Sequence, residues 1–260
     1  MRRRRFRRLR RAWRVQKAAP RGIQAGVIAL ALVALAFAVN WAYQAARKPA
    51  ELFFPVSGAL SKTPQETWSA YAPLFRENAT PVITPELLAA LAQVEAAGNP
   101  VARTYWRWRL PAEPFDVYRP ASSAVGMYQI TDATFRDARR YCIHDHAVAE
   151  DGPWNDWHSC WFNSLYLRVV PSDAIEMTSA LLDHRVADAL ARRPGVRATL
   201  QQKQQLAAVI HLCGAAAGDA YARRGFRLLP GQRCGDHDAA RYLARVDSMK
   251  RIFARLAGAR

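Results

Sequence analysis

The hydrophobic positions near the start of the chain form one continuous apolar run. Residues Val27 to Val39 are all apolar, and they lie within a stretch, residues 22–46, that carries no charge. A helix needs roughly 20 mainly apolar residues to cross a bilayer. Ile23 to Tyr43 meets that length, and Trp41 and Tyr43 are typical of a membrane–water interface. The pattern therefore predicts a single transmembrane helix over residues 22–46.

Beyond this run the apolar residues recur at helical spacing, with no repeat and no sustained alternation. Thr63 and Glu66 form a capping box, and the short helix that they open should kink or end at Pro73. Further helix starts are predicted at Thr84, Thr131, Pro171 and Gln201. A closing helix carries Tyr242, Val246, Met249, Phe253 and Leu256 on one stripe. The pattern predicts a mainly α protein, with a connector over residues 47–80 and a compact domain over residues 81–260.

The positive charge is concentrated before the apolar run. The net charge is +17, and ten arginines and Lys17 within residues 1–21 supply eleven of those charges. The remaining chain is only mildly basic, so composition does not favour a nucleic-acid-binding protein. A basic flank stays in the cytoplasm. We therefore expect a cytoplasmic tail over residues 1–21, a single pass through the membrane and a domain exported to its other side. A cleaved signal peptide is the alternative, since Ala36 to Ala38 has the form of a cleavage site.

The chain has four cysteines, which in an exported protein are expected to form disulfides. Sequential pairing of Cys142 with Cys160 and of Cys213 with Cys234 closes the shortest loops. A zinc site is the alternative, because histidines lie near the first pair. The spacing fits no standard ligand set, so we expect no metal.

Glu95 is a lone acid among small and apolar residues. It follows Leu88 by seven positions and Leu91 by four, at the edge of an apolar stripe, and Gly98, Asn99 and Pro100 end the predicted helix. A carboxyl in that position loses solvation and lies near the negative end of the helix dipole. Both effects favour the proton-bearing form, which can donate a proton to a leaving oxygen. The alternative is a solvated acid at a helix end.

A second segment, Ser122 to Thr131, carries polar and small residues after a long loop. Gly126 permits close approach of the backbone, and Gln129 offers both a donor and an acceptor. The loop between the two segments is rich in aromatic residues, which are stacking surfaces for sugar rings or covers for the core. These residues are Tyr105, Trp106, Trp108, Phe115 and Tyr118.

Three motifs resemble those of the soluble lytic transglycosylases, in the same order. Glu95 to Pro100 (EAAGNP) is similar to that family's E-S-x-x-N-P element, and Ser123 to Ile130 (SAVGMYQI) to its G-A-x-G-L-M-Q element. Tyr242 to Val246 (YLARV) is similar to its closing Y-V-x-x-V helix. The resemblance spans roughly residues 81–260 and implies a lysozyme-like helical fold.

By resemblance, the protein cleaves the β-1,4 bond between N-acetylmuramic acid and N-acetylglucosamine in peptidoglycan. The muramic acid's own 6-hydroxyl then closes a 1,6-anhydro ring, without water and without a cofactor. Glu95 serves as acid and then as base, and Tyr242 approaches its carboxyl. The expected glycan contacts are Ser123, Gly126, Met127, Tyr128, Gln129, His211 and Tyr242.

The sequence also departs from the family pattern. Ala96 replaces the serine after the catalytic acid, and Met127 and Tyr128 replace a Leu-Met pair. His211 stands where a tyrosine is expected, and it contacts the substrate, tunes Glu95 or fills the core. Residues 142–170 form an extra lobe tied by a disulfide.

Two other functions remain open from the sequence. A hydrolysing, lysozyme-type enzyme usually needs a second carboxylate, for which Asp116 and Asp132 are the candidates. The other hypothesis is a non-catalytic, wall-binding subunit of a secretion or conjugation apparatus. In each case the expected partners are peptidoglycan strands and the cytoplasmic membrane, and no nucleic acid.

Overall fold

The computed structural model describes residues 20–108, 118–156 and 158–259. They belong to two compact units. The first combines the N-terminal part up to Pro49 with residues Trp106–Pro120, and the second combines Ala50–Tyr105 with Ala121–Arg260.

The first unit is a long apolar helix with a small hairpin packed on it. Helix α1 spans Arg21–Arg47, and strands β1 (Trp106–Trp108) and β2 (Tyr118–Pro120) pair antiparallel. Its 27 residues give a length of about 40 Å. Within the described chain, α1 is the one helix long and apolar enough to cross a membrane, a test that an N-terminal signal sequence also passes. The basic tail lies almost wholly outside the described residues.

The second unit is mainly helical, as the sequence predicts. After 3₁₀ turns and the single-turn helix α2 (Phe54–Ser57) come α3 (Pro64–Glu77), α4 (Pro85–Ala96), α5 (Asp132–Ala138), α6 (Pro171–Ala191), α7 (Leu200–Cys213), α8 (Ala215–Arg223) and α9 (Ala239–Gly258). The 3₁₀ turns are Pro49–Phe53, Gly58–Leu60 and Trp161–Leu165.

Side-chain caps fix where several of these helices begin. The predicted capping box of Thr63 and Glu66 is present at α3, and Thr84 and Thr131 cap α4 and α5. Helix α7 begins at Leu200, one residue earlier than predicted. Thr199 and Gln202 form a capping box there, which was not predicted from the sequence. Pro73 does not end α3, which continues through it to Glu77.

The core lies between α3, α4, α6, α7 and α9. Helix α9 packs most extensively against α4. The predicted stripe on α9 faces this core: Tyr242, Val246 and Phe253 are buried, and Met249 and Leu256 pack against them. This packing holds Tyr242 beside the last turn of α4.

Part of the expected connector belongs to the packed body. Trp68 and Phe75 of α3 are buried in the same core as α4. The backbone amide of Lys62, which precedes α3, donates a hydrogen bond of 2.8 Å to the Ala97 carbonyl at the end of α4. The compact unit therefore begins at Ala50, well before the expected residue 81.

Short hairpins and two disulfides complete the unit. Strands β3 (Tyr141–His144) and β4 (Ala147–Glu150) pair antiparallel, as do β5 (Arg233–Cys234) and β6 (His237–Asp238). The structure bonds Cys142 to Cys160 and Cys213 to Cys234, the sequential pairing. The zinc alternative is wrong for these cysteines, because disulfide sulfurs are not free thiolates.

Candidate functional site

Glu95 lies in the last turn of α4, facing the core side of the unit. Thr84 caps the start of this helix and Ala97 ends it in the left-handed conformation. The side chain of Glu95 is only 17% exposed. The carboxylate is therefore held among packed neighbours, yet it retains access to solvent.

Two side chains from distant parts of the sequence converge on one oxygen of Glu95. The Tyr242 hydroxyl donates a hydrogen bond of 2.5 Å to Oε1. Nε2 of His211, on α7, lies 3.5 Å from the same oxygen. Both contacts are therefore with the same oxygen, Oε1.

The bond from Tyr242 is maintained by the environment of the phenol. Burial raises the pKa of Tyr242 well above its ordinary value, and the charge of Glu95 and the hydrogen bond to it act in the same direction. Tyr242 therefore keeps its proton and remains a donor to the carboxylate at any physiological pH. The sequence comparison anticipated this approach of Tyr242 to Glu95.

The loop after α4 is fixed by buried polar contacts. The Asn99 amide donates to the Ser57 carbonyl at 2.5 Å, and its oxygen accepts from the Val101 amide at 3.0 Å. On the helix itself, Gln93 donates to the Lys62 carbonyl and accepts from Thr67. These contacts hold the helix end that carries Glu95 against the segment preceding α3.

The second motif folds tightly against the first. The Gly126 amide donates to the Ala102 carbonyl at 2.8 Å. Gly126 has a φ of +81°, and a Cβ there would collide with the Arg168 carbonyl, so glycine is required on both counts. The Gln129 amide nitrogen donates to the carbonyls of Gly126 and Ala102, at 3.0 and 3.4 Å.

Two predicted glycan contacts are core side chains instead. Met127 and Tyr128 are 0% exposed. The Tyr128 hydroxyl donates to the Leu88 carbonyl on α4, and burial raises the pKa of Tyr128 well above its ordinary value. Neither side chain offers surface to a ligand, which corrects the expectation from the sequence. Both belong to the same buried core as the apolar residues of α4.

A cavity of about 290 Å³ brings Gln129 and His211 together. Its wall also includes the ion pair of Asp137 with Arg185, and Thr178. Asp137, Thr178 and Arg185 were not predicted as site residues, because they lie on α5 and α6 outside any motif. His211 thus contacts both the cavity and the carboxylate of Glu95.

The other predicted site residues have structural contacts. Ser123 Oγ accepts from the Asp132 amide at the start of α5. Asp132 itself forms an ion pair of 2.8 Å with Arg168. Trp106, Trp108 and Tyr118 belong to the hairpin packed on α1. Phe115 and Asp116 lie outside the described residues.

Comparison with known proteins adds one finding to this geometry. Residues 73–196 match the family model of the transglycosylase SLT domain. The match includes Glu95 and the Gly126–Gln129 segment and ends before His211 and Tyr242, which the fold brings to the same carboxylate. No curated protein matches the chain. An SLT domain indicates a peptidoglycan transglycosylase type of function, and residues 73–196 match that lysozyme-like, helical family.

Proposed function

We propose that the protein is a membrane-anchored lytic transglycosylase in which Glu95 is both acid and base. The observation that carries the proposal is the environment of Glu95. Tyr242 and His211 contact one oxygen of a largely buried carboxylate, and His211 also lines the neighbouring cavity.

The proposed reaction needs one carboxyl and no added water. The reaction starts from the protonated form of Glu95, which donates its proton to the glycosidic oxygen as the bond to C1 of N-acetylmuramic acid breaks. The carboxylate then accepts the proton of the 6-hydroxyl, whose oxygen bonds to C1 and closes the 1,6-anhydro ring. The proton gained in the second step restores the acid for the next cycle.

The surrounding residues have separate tasks in this proposal. Tyr242 fixes the position of Oε1, so that Oε2 faces the scissile bond. Gln129 shapes the cavity wall, and its carbonyl oxygen is the acceptor for an amide or hydroxyl of the glycan, since its nitrogen is engaged by the backbone. His211 orients Glu95 from the cavity side.

The proposed reaction needs no second carboxylate, unlike hydrolysis by a pair of acids. Two-carboxylate glycosidases keep their acids roughly 5–9.5 Å apart. Within the described residues, the groups that contact the Glu95 carboxylate are a phenol and an imidazole. Asp132, one of the two sequence candidates, is more than half exposed and is paired with Arg168.

A substitution on the same helix supplies a matched control for the catalytic role. Glu95→Gln is nearly isosteric and should lower turnover of labelled peptidoglycan by at least about 10²–10⁴-fold, because one group performs both proton transfers. Glu86→Gln, in the first turn of α4, should leave turnover unchanged. If Glu95→Gln keeps more than about a tenth of wild-type turnover, Glu95 is not the general acid, since such roles exceed that factor. Full cellular function of an inactive Glu95→Gln protein would favour a wall-binding subunit instead.

We further propose that α1 remains attached and places the second unit in the periplasm. The hairpin contacts Phe37 and Asn40, which lie on either side of the cleavage point after Ala38. Cleavage would split this contact surface, so the packing supports an uncleaved anchor. An alkaline phosphatase fusion after Lys62 should be active and a cytoplasmic reporter at the same point silent. The reverse pattern would contradict the proposed orientation.

A further inference from the structure

Arg168 joins the lobe over residues 142–170 to the segment that carries Gln129. It lies three residues before α6, and its side chain is only 16% exposed. Its Nη1 donates to the carbonyls of Ser123 and Ile130, at 3.0 and 2.9 Å. One guanidinium nitrogen therefore holds both ends of the segment from Ser123 to Ile130.

The second nitrogen of this guanidinium binds the start of α5. Nη2 lies 2.8 Å from Oδ1 of Asp132, and the guanidinium lies over the Phe135 ring, 5.1 Å from its centroid. Hydrogen bonds from a charged donor are stronger than neutral ones, and a planar guanidinium offers several donors in fixed directions. A single arginine thus fixes the segment and the first turn of α5 relative to each other.

The backbone of Arg168 also packs against the segment. Its carbonyl occupies the place where a Cβ of Gly126 would lie. Within the segment, Val125 and Ile130 exchange two backbone hydrogen bonds, of 3.2 and 3.0 Å. The turn from Gly126 to Gln129 is therefore closed at its base by this pair and confined by Arg168.

Gln129 depends on that confinement, because its backbone is in an unfavourable conformation. Its φ is +48°, in the left-handed region that residues with a Cβ seldom adopt. Such conformations persist where the surrounding structure holds them. The carbonyls bound by Arg168 flank Gln129 on both sides along the chain. Loss of the guanidinium would let the turn relax and move the Gln129 side chain at the cavity wall.

The chain around Arg168 is itself anchored to α6. The Leu167 amide donates to Oδ2 of Asp173 at 2.9 Å, and the Tyr166 hydroxyl donates to Oε2 of Glu176 at 2.6 Å. Both acceptors lie in the first two turns of α6. These bonds give the guanidinium a fixed base from which to hold the segment.

We propose that Arg168 is a positioning residue for glycan binding at the candidate site. It binds backbone carbonyls and Asp132, and it acts on the glycan through Gln129, whose conformation it holds. The inference rests on the proposed role of Gln129 as a glycan contact and does not require Glu95 to be the acid. It also gives the extra lobe a function, which is to present Arg168 to the segment.

A double-mutant cycle on glycan binding tests the proposal. Full-length Glu95→Gln protein in detergent is titrated with fluorescent, uncrosslinked glycan strands, and the Kd is measured by anisotropy. Gln129→Ala and Arg168→Gln are introduced into this parent singly and together. Each single change should weaken binding by about 3–10-fold, the size expected for one hydrogen bond. The double variant should bind no more weakly than the weaker single variant.

Two further variants separate position from net charge and from folding. Arg192→Gln also removes an ion-paired arginine, since Nη2 of Arg192 lies 2.7 Å from Asp219, and it should leave the Kd unchanged. If Arg168→Gln loses the near-ultraviolet circular dichroism of the parent, the cycle is run with Arg168→Lys. Lysine keeps the charge beside Asp132 but lacks the planar fork that reaches both carbonyls.

The outcomes distinguish this inference from the proposed reaction. Additive losses in the double variant would show that Arg168 does not act through Gln129 and would overturn the inference. An unchanged Kd in a folded Arg168 variant would do the same, as would an equal loss in Arg192→Gln, which would indicate net charge. Anhydro products from the Glu95→Gln parent would overturn the reaction at Glu95 alone, and the same cycle would then be run on the KM of turnover. No measurable binding by the parent or the wild type would overturn both proposals.

Discussion

The bond between Tyr242 and Glu95 offers a sharp test of the site geometry. Tyr242→Phe keeps the ring in the core of the second unit and deletes only the hydroxyl that donates to Oε1. A hydrogen bond to a charged group contributes about 1.5–3 kcal/mol. For a domain of this size, that loss lowers the melting temperature by roughly 3–12 °C.

A buried tyrosine with a neutral partner provides the control. The Tyr221 hydroxyl donates to the Gln205 amide oxygen at 3.4 Å, a longer bond to an uncharged acceptor. Tyr221→Phe should therefore cost only about 0.5–1.5 kcal/mol. Thermal melts of the full chain in detergent near neutral pH, followed by near-ultraviolet circular dichroism, compare the two variants.

A double-mutant cycle assigns the loss to the charged partner. In a Glu95→Gln background the acceptor is neutral, so Tyr242→Phe should cost only about 0.5–1.5 kcal/mol, as for other neutral bonds. The expected coupling between Tyr242 and Glu95 is about 1 kcal/mol or more. If Tyr242→Phe costs the same in both backgrounds, the hydroxyl does not donate to an ionised Glu95 carboxylate and the reasoning is refuted.

Three further outcomes follow from the second unit. Gly126→Ala should destabilise by about 1–3 kcal/mol more than Gly231→Ala, because both glycines have positive φ but only the first Cβ meets the Arg168 carbonyl, and equal losses would contradict that packing. The free energy of unfolding should fall as pH rises above about 10, because the unfolded chain then loses tyrosine protons that the buried tyrosines of the folded chain retain. Tyr128→Phe should reduce this fall, and melts at about pH 8 and about pH 11 decide whether it does. Peptide mapping without reduction should recover both sequential disulfides, each worth about 3 kcal/mol in the chain-entropy model, and any cross-paired peptide would contradict the pairing.

The parts of the fold predictable from sequence were those set by local chemistry. Threonine caps and apolar spacing located α3, α4, α5 and α9 closely, because caps and helical period act within a few residues. The three small hairpins escaped prediction, since strands of two to four residues carry too little pattern.

The site was predictable in its central acid and less so in its surroundings. A lone acid in an apolar stripe singled out Glu95, and a motif resemblance pointed to Tyr242. The burial of Met127 and Tyr128 was missed, because motif position does not reveal which side of a loop faces the core. The contact of His211 with Glu95 was one of three alternatives from the sequence, and only the tertiary structure selects among them, since the two residues lie far apart along the chain.

The products of the reaction test the central claim most directly. Full-length protein incubated with purified peptidoglycan should release muropeptides that end in 1,6-anhydro-N-acetylmuramic acid, each lighter by one water than the hydrolysed species in mass spectrometry. The Glu95→Gln protein should release none above background. Release of reducing ends by the wild type would show a hydrolase, and unchanged anhydro products from Glu95→Gln would remove Glu95 from the chemistry.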